Sequence, residues 1–297
     1  MPHLHGWSWA SAALRLNLRV AGLIFRGRWL SAREQAASYD RIAPDYDHCW
    51  LTRLQPVTDR LLAHLPNPMP SGPAIDLGCG TGYAAACLLD AVPGPWTLTD
   101  LSPGMLEQAR RRLAGRSVAF IVSDMLTFLK VQPPRRTALI VSTWSLGYSQ
   151  PAAILRAAAR ALSPDGCFAF VVNLRNTMAP VFDTFRRCMT SHPNALQAVT
   201  RPRFPRSASE LNHAAARAGL TVVWQEEGRQ PVQPPNGSPW LPWLLRTGVL
   251  AGFDRLLPLD RPGPVADQFE SLLQANHAPV FHHYSAMILR TNIQEKG

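Results

Sequence analysis

From Pro73 onward, short apolar runs alternate with stretches in which apolar residues recur every three or four positions. The runs are PAIDLG (73–78), WTLTD (96–100), VAFIVSD (118–124), ALIVST (138–143) and CFAFVVN (167–173), each the length of a buried strand. Between them YAAACLLDA (83–91), PGMLEQARRRLA (103–114) and AAILRAAARALSPDG (152–166) read as helices. The second has proline in its first turn and pairs Glu107 with Arg111; the third closes in a Pro-Asp-Gly turn. Further on, SASELNHAAARAGL (207–220) reads as a helix capped by Ser207 or Ser209. TVVWQEE (221–227) reads as a strand, and HHYSAMILR (282–290) as the last one. Strand and helix in alternation predict an α/β fold, a doubly wound parallel sheet covered on both faces.

Two stretches break this rhythm. Residues 174–206 and 228–281 are rich in proline and carry Trp240, Trp243 and many leucines, and they read as cap insertions over the ligand edge of the sheet. Residues 1–36 form a segment of their own, and 37–297 the main domain. The first segment holds five arginines and no acid before Glu34. Arg15 and Arg19 interrupt its apolar run too soon for a membrane span or the core of a signal peptide. On a helix, Leu16, Val20, Leu23 and Ile24 share one face, and Arg15, Arg19 and Arg26 another. With Trp7, Trp9 and Trp29 beside them, this is the pattern of an interfacial helix. A helix packed on the domain with its arginines in solvent fits equally well. Residues 239–257 (PWLPWLLRTGVLAGFDRLL) mix tryptophan, leucine and arginine in the same way, and read either as a second interfacial segment or as a pocket wall packed on the domain.

Composition narrows the function classes. A chain of 297 residues, 46% hydrophobic and 17% charged, has the make-up of a globular protein with a sizeable core. Its net charge of +10 comes almost entirely from arginine, the only lysines being Lys130 and Lys296. No basic block with interleaved aromatics stands out, which argues against a nucleic-acid partner; an anionic substrate or membrane surface suits the charge as well. The five cysteines form no CxxC pair and have no histidine at ligand spacing. This argues against zinc or a disulfide framework, implies no metal, and points to a reducing, cytoplasmic compartment, compatible with peripheral contact at the inner face of a membrane.

AIDLGCGTGY (74–83) carries the chemistry. A dinucleotide loop needs G-x-G-x-x-G, and the place of its third glycine is taken by Tyr83. Here Asp76 ends a strand and precedes Gly78, Gly80 and Gly82. An acid there can hold the loop or bind a cationic amine, and the bare backbone lets a ligand lie against it. Together with DLSPGMLEQAR (100–110), SDM (123–125) and VSTWSLGY (141–148), this loop resembles that of the class I S-adenosylmethionine-dependent methyltransferases. The closest group is the type 11 one that includes ubiquinone and menaquinone biosynthesis enzymes.

The resemblance implies a seven-stranded Rossmann-like methyltransferase sheet with a final antiparallel strand. It also implies S-adenosylmethionine as cofactor, held by Asp76, Gly78, Cys79, Gly80 and Gly82. Asp100 stands where the family binds the ribose hydroxyls, with Leu101 and Met105 beside ribose and adenine. Asp124 stands at the adenine amine, with Met125 beside the ring. Thr143 and Trp144 line the methionine portion. LSPDG stands for the family's L-x-P-G-G, with Asp165 in place of a glycine. SYDRIAPDYD is similar to a segment that folds over the cofactor and brings Tyr39 and Tyr46. Singly, Asp100 or Asp124 reads equally well as a helix N-cap.

Methyl transfer is an in-line displacement on an activated methyl, so the protein chiefly aligns the acceptor and excludes water. A base is needed only for an acceptor that arrives protonated. An antiparallel last strand would start at the cofactor edge, making His282, His283 and, opposite, Tyr148 the candidate catalytic residues, with His48 a further one. All four read first as pocket wall or surface residues, and only second as a base. The apolar insertions favour a small apolar or lipid-like acceptor. The rival readings are a catalytically silent cofactor-binding partner protein and a nucleic-acid methyltransferase. Ser142-Thr143-Trp144-Ser145 does not match the Asn/Asp-Pro-Pro-Tyr motif of amino-methylating DNA enzymes. Oligomeric state and the choice among O-, N- and C-methylation stay open.

Overall fold

The structure is a computed structural model that describes residues 4–291, with side chains described from Ala10 onward except at Asn236. The chain divides into two compact units. The first gathers Met1–Ile42, Met178–Arg201 and Pro231–Phe281; the second gathers Ala43–Thr177, Pro202–Gln230 and His282–Gly297.

The second unit is built on a seven-stranded sheet: β1 (Ala74–Leu77), β2 (Trp96–Asp100), β3 (Val118–Val122), β4 (Thr137–Thr143), β5 (Leu162–Asn173), β6 (Leu220–Pro231) and β7 (Phe281–Thr291). Their order is β3-β2-β1-β4-β5-β7-β6, with β1 to β5 parallel and β7 antiparallel to β5. This is the Rossmann-like sheet with an antiparallel final strand that the sequence led one to expect. The order reverses between β1 and β4, and open α/β sheets bind ligands at such a switch point, beyond the strands' carboxyl ends. The interior strands β1 and β4 are buried almost throughout, which is why their sequences lack polar alternation. Phe168, Phe170, Ile154, Leu155, Met287 and Leu289 centre one apolar core between sheet and helices.

The helices of this unit are α3 (Thr52–Ala63), α4 (Tyr83–Leu88), α5 (Pro103–Arg112), α6 (Met125–Lys130), α7 (Pro151–Ala161) and α9 (Ala208–Arg217). A π-helical turn, Asp47–Leu51, leads into α3. Ser102 caps α5 and Ser207 caps α9, each accepting from the backbone N–H three residues on. The Pro-Asp-Gly turn expected after α7 is not a separate turn. Residues 164–166 are a bulge inside β5, where a step of two residues on β4 meets a step of five on β5. A Cβ at Gly166 would lie 2.6 Å from the Thr137 carbonyl oxygen, so this close approach needs glycine. Strand β6 also runs beyond its predicted end at residue 227.

In the first unit, α1 (Leu4–Phe25), α2 (Ala32–Ile42), α8 (Ala179–Ser191), α10 (Trp240–Leu244) and α11 (Pro264–Gln274) enclose a second core. Phe182 and Phe185 pack on Phe253, with ring centroids 5.0 and 5.6 Å apart. A capping box, Ser31 with Glu34, starts α2. The Glu270 carboxylate accepts from the N–H groups of Trp240 and Leu241, closing the start of α10. The reading of 239–257 as interfacial is overturned. Leu241, Trp243, Leu244, Leu250, Leu256 and Leu257 are buried, and buried Asp254 pairs with Arg41 and accepts from Ser38 at 2.9 Å. These apolar residues complete a core and leave little for a lipid surface.

Candidate functional site

Strand β1 delivers Asp76 to the switch point, deep in the sheet. The residue is fully buried, and neither carboxylate oxygen makes a well-formed hydrogen bond, the Ala85 N–H being only loosely directed at the carboxylate. Burial pushes its pKa up to about 7, helped by the charge of Asp100 and opposed by the backbone N–H of Ala85. After it, Gly78, Gly80 and Gly82 all take φ between 53 and 78°, a conformation few other residues tolerate. A Cβ at Gly78 would meet Ser145 at 2.5 Å; one at Gly80 would meet nothing within 4 Å. The loop is therefore closed against Ser145, just beyond β4, at Gly78 and open at Gly80. Cys79 is buried, which raises its thiol pKa, with Asp76 and Asp100 adding to the effect.

Asp100, at the end of β2, fixes this loop. Its Oδ2 accepts from Gly80 N–H and its Oδ1 from Ser102 N–H, both at 2.9 Å. Leu101 is half-buried beside it, whereas Met105 is 1% exposed and its side chain belongs to the core. Asp124 caps α6, its Oδ1 accepting from Thr127 N–H at 2.9 Å. Met125 is buried next to the loop, its Sδ 3.7 Å from Ser145 Oγ.

Beyond β4, half-buried Thr143 precedes Trp144, which holds φ at 66°, a conformation that costs a bulky residue roughly 1–3 kcal/mol. Its surroundings fix it there. Indole Nε1 donates to Thr58 Oγ1 at 3.0 Å, and the ring stacks on His282 with centroids 4.7 Å apart. Tyr284 meets the same indole edge-on, and Trp50 packs against His282. Buried this way, His282 has its pKa pushed down to about 3, with His283 contributing. His283 is half-buried and also shifted down, by burial and then Arg229, against Glu227. Tyr148 lies edge-on to Phe204, with centroids 5.8 Å apart.

The segment resembling a cofactor lid is split. Tyr39 sits on α2 in the first unit, while Tyr46 and exposed His48 belong to the second. The Tyr46 phenol is raised in pKa by burial, then by Tyr148, Asp100 and Asp47, so these groups converge. Asp47 ties the turn to the glycine loop: Thr81 Oγ1 donates to Asp47 Oδ1 at 2.6 Å, and Arg112 pairs with Oδ2. Sequence reading named the tyrosines and passed over Asp47, Thr81, Ser145, Trp50 and Thr58. Only Asp47 carried a signal, through its place in the Tyr-Asp pair.

Against known proteins, the family described as "Methyltransferase domain" matches residues 74–166. A trans-aconitate 2-methyltransferase of Methylobacterium nodulans is 36% identical over 180 residues, covering 58% of this chain and 66% of its own length. A malonyl-[acyl-carrier protein] O-methyltransferase of Neorickettsia risticii is 34% identical over 137 residues, covering 46% of this chain and 50% of its own. The chain thus spans two thirds or less of the length of these two relatives. Among solved structures, a putative methyltransferase from Bacillus halodurans superposes with a TM-score of 0.52 at 14% identity. It covers 78% of this chain and 97% of its own, a likeness of fold.

Proposed function

We propose that this chain, which belongs to the class I S-adenosylmethionine-dependent methyltransferases, methylates a small acceptor that arrives as a carboxylate. One observation carries the cofactor's placement: a buried carboxylate without a well-formed hydrogen bond, Asp76, stands beside a loop left open at Gly80. Asp76 would take the cofactor's ammonium, a charge-assisted contact that repays the cost of burying the acid. Asp100 would accept from the ribose hydroxyls, and Asp124 from the adenine amine. Leu101, Met125, Thr143 and Trp144 would wall the nucleoside and methionine portions, and Tyr46 would cover them. When bound, the cofactor supplies a methyl group on a positive sulfur. The chain's own task is to align the acceptor and exclude water.

The acceptor class rests on the candidate bases. His282 is held neutral between two indoles, and a group that gives up its proton near 3 is a feeble base at neutral pH. His283 is weakened in the same direction. A carboxylate needs no base, and trans-aconitate and malonyl groups, named for the two relatives, both carry one. The apolar acceptor expected from the sequence rested on the tryptophan, leucine and phenylalanine residues of both insertions, 174–206 and 228–281, many of which are spent in the core of the first unit.

The test is calorimetry with S-adenosylmethionine, followed by release of S-adenosylhomocysteine with a panel of small carboxylic acids, trans-aconitate among them. Binding without turnover on any of these acids or on fractions of a cell extract would favour a silent cofactor-binding protein, and nuclease-sensitive turnover on the extract a nucleic-acid enzyme. At saturating cofactor, a carboxylate acceptor should give a rate that is flat from about pH 6 to 9. A rate that climbs with pH across that range would point to a hydroxyl acceptor and sink the carboxylate reading.

A further inference from the structure

Helix α1 has two apolar faces. Leu16, Val20 and Leu23 face the first unit; Leu23 is 3% exposed and the other two are half-buried. On the adjoining flank Arg19 is drawn in, donating to the Leu196 carbonyl at 3.0 and 2.7 Å. The second face was not evident from sequence. Leu14, Leu18 and Phe25 lie within about 40° of one another on a helix turning about 100° per residue. They are 60, 65 and 93% exposed. Exposed Arg15 and Arg26 run alongside, roughly 60–120° round the helix. The whole helix holds no acid. Helix propensity does not ask for leucine and phenylalanine at these places, since lysine or glutamate would serve as well or better.

We propose that this ridge lays α1 in the plane of an anionic bilayer surface, with Leu14, Leu18 and Phe25 below the headgroups and Arg15 and Arg26 at phosphate level. The leucine–phenylalanine ridge with flanking cations has the chemistry of an interfacial helix. Among the described residues no helix is long and apolar enough to cross a membrane, so contact is in-plane. Charge selects lipid over a second copy of this chain: apposing two ridges would bring the arginines of both copies together, with no acid on α1 to pair them. Trp29, 37% exposed with Arg201 5.0 Å over its ring, adds an amphipathic group beyond the end of the helix. Trp7 and Trp9 have side chains outside the described residues.

The experiment is cosedimentation of the full-length protein with phosphatidylcholine vesicles, with and without about a third phosphatidylglycerol, at low and physiological salt. Binding is expected only with the anionic lipid and weaker in salt. Leu18→Asp with Phe25→Ser should lower partitioning at least about tenfold. Arg15→Gln and Arg26→Gln should each lower it about fivefold. Calorimetric binding of S-adenosylmethionine should be unchanged in every variant, which keeps a folding failure distinct from a docking failure. Protein left in the supernatant at low salt overturns the proposal, as does binding that survives the Leu18 and Phe25 changes. So does a solution dimer that those two changes convert to monomer, because a second copy would then cover the ridge.

Discussion

At Asp76, burial holds the pKa at about 7, whereas an unfolded aspartate titrates near 4. The native, ligand-free chain therefore keeps a proton across this window that the unfolded chain has released. Its stability should fall as pH rises from about 4 to 7, by a total on the order of 4 kcal/mol. Asp76→Asn should flatten that part of the curve in urea unfolding measured across pH. An ammonium bound at Asp76 reverses the preference and expels the proton. Calorimetry near pH 6 in buffers of different ionisation heat should then show proton release on binding S-adenosylmethionine, lost in Asp76→Asn. His283 gives the opposite kind of prediction. Removing a true general base costs roughly 10²–10⁴ in rate; His283→Ala should cost less than about tenfold in kcat, because a weakened imidazole is not asked to take a proton. Of these residues the acids were legible, since a carboxylate before a glycine loop has few uses. The depth of Met105 and the indole stack around His282 were not, because both arise from pairings between distant parts of the chain.

The turn before α3 and the glycine loop are coupled through a single carboxylate. Asp47 accepts from Thr81 and pairs with Arg112, so it holds the segment bearing Tyr46 against the loop. Asp47→Ala should weaken S-adenosylmethionine binding about three- to thirtyfold in calorimetry, the worth of one to two charge-assisted bonds partly open to water. Hydrogen exchange across residues 44–51 should rise in the same variant, and Asp47→Asn, which keeps an acceptor for Thr81, should recover part of both effects. Unchanged exchange with weakened binding would mean that Asp47 acts other than by holding the turn. Elements were easier to read than their couplings. Strands β1, β2 and β4 announce themselves as short apolar runs with an acid or a threonine at the last or next-to-last position. The β5 bulge hid inside LSPDG, because proline, aspartate and glycine signal a turn whether it ends a strand or sits within one.

Over the whole molecule, apolar periodicity says that a segment is buried but not against what. Residues 239–257 carried the composition of a lipid-facing stretch and became core, since Leu241, Trp243 and Leu244 found partners in their own unit. Leu18 and Phe25 look no different in sequence and found none. That first unit is gathered from Met1–Ile42, Met178–Arg201 and Pro231–Phe281, which sets a clock during synthesis. At about 5–20 residues per second, a ribosome needs on the order of 10 to 50 s to travel from the end of the first piece to the end of the last. Through that interval Leu23 and the inner face of α1 have nothing complete to pack on, and are open to chaperones and proteases. Chains stalled near residue 230 should be clipped within their first 42 residues, and chains stalled behind a linker after residue 297 should resist. Equal resistance in both would mean that the amino-terminal piece finds its fold without waiting for the rest.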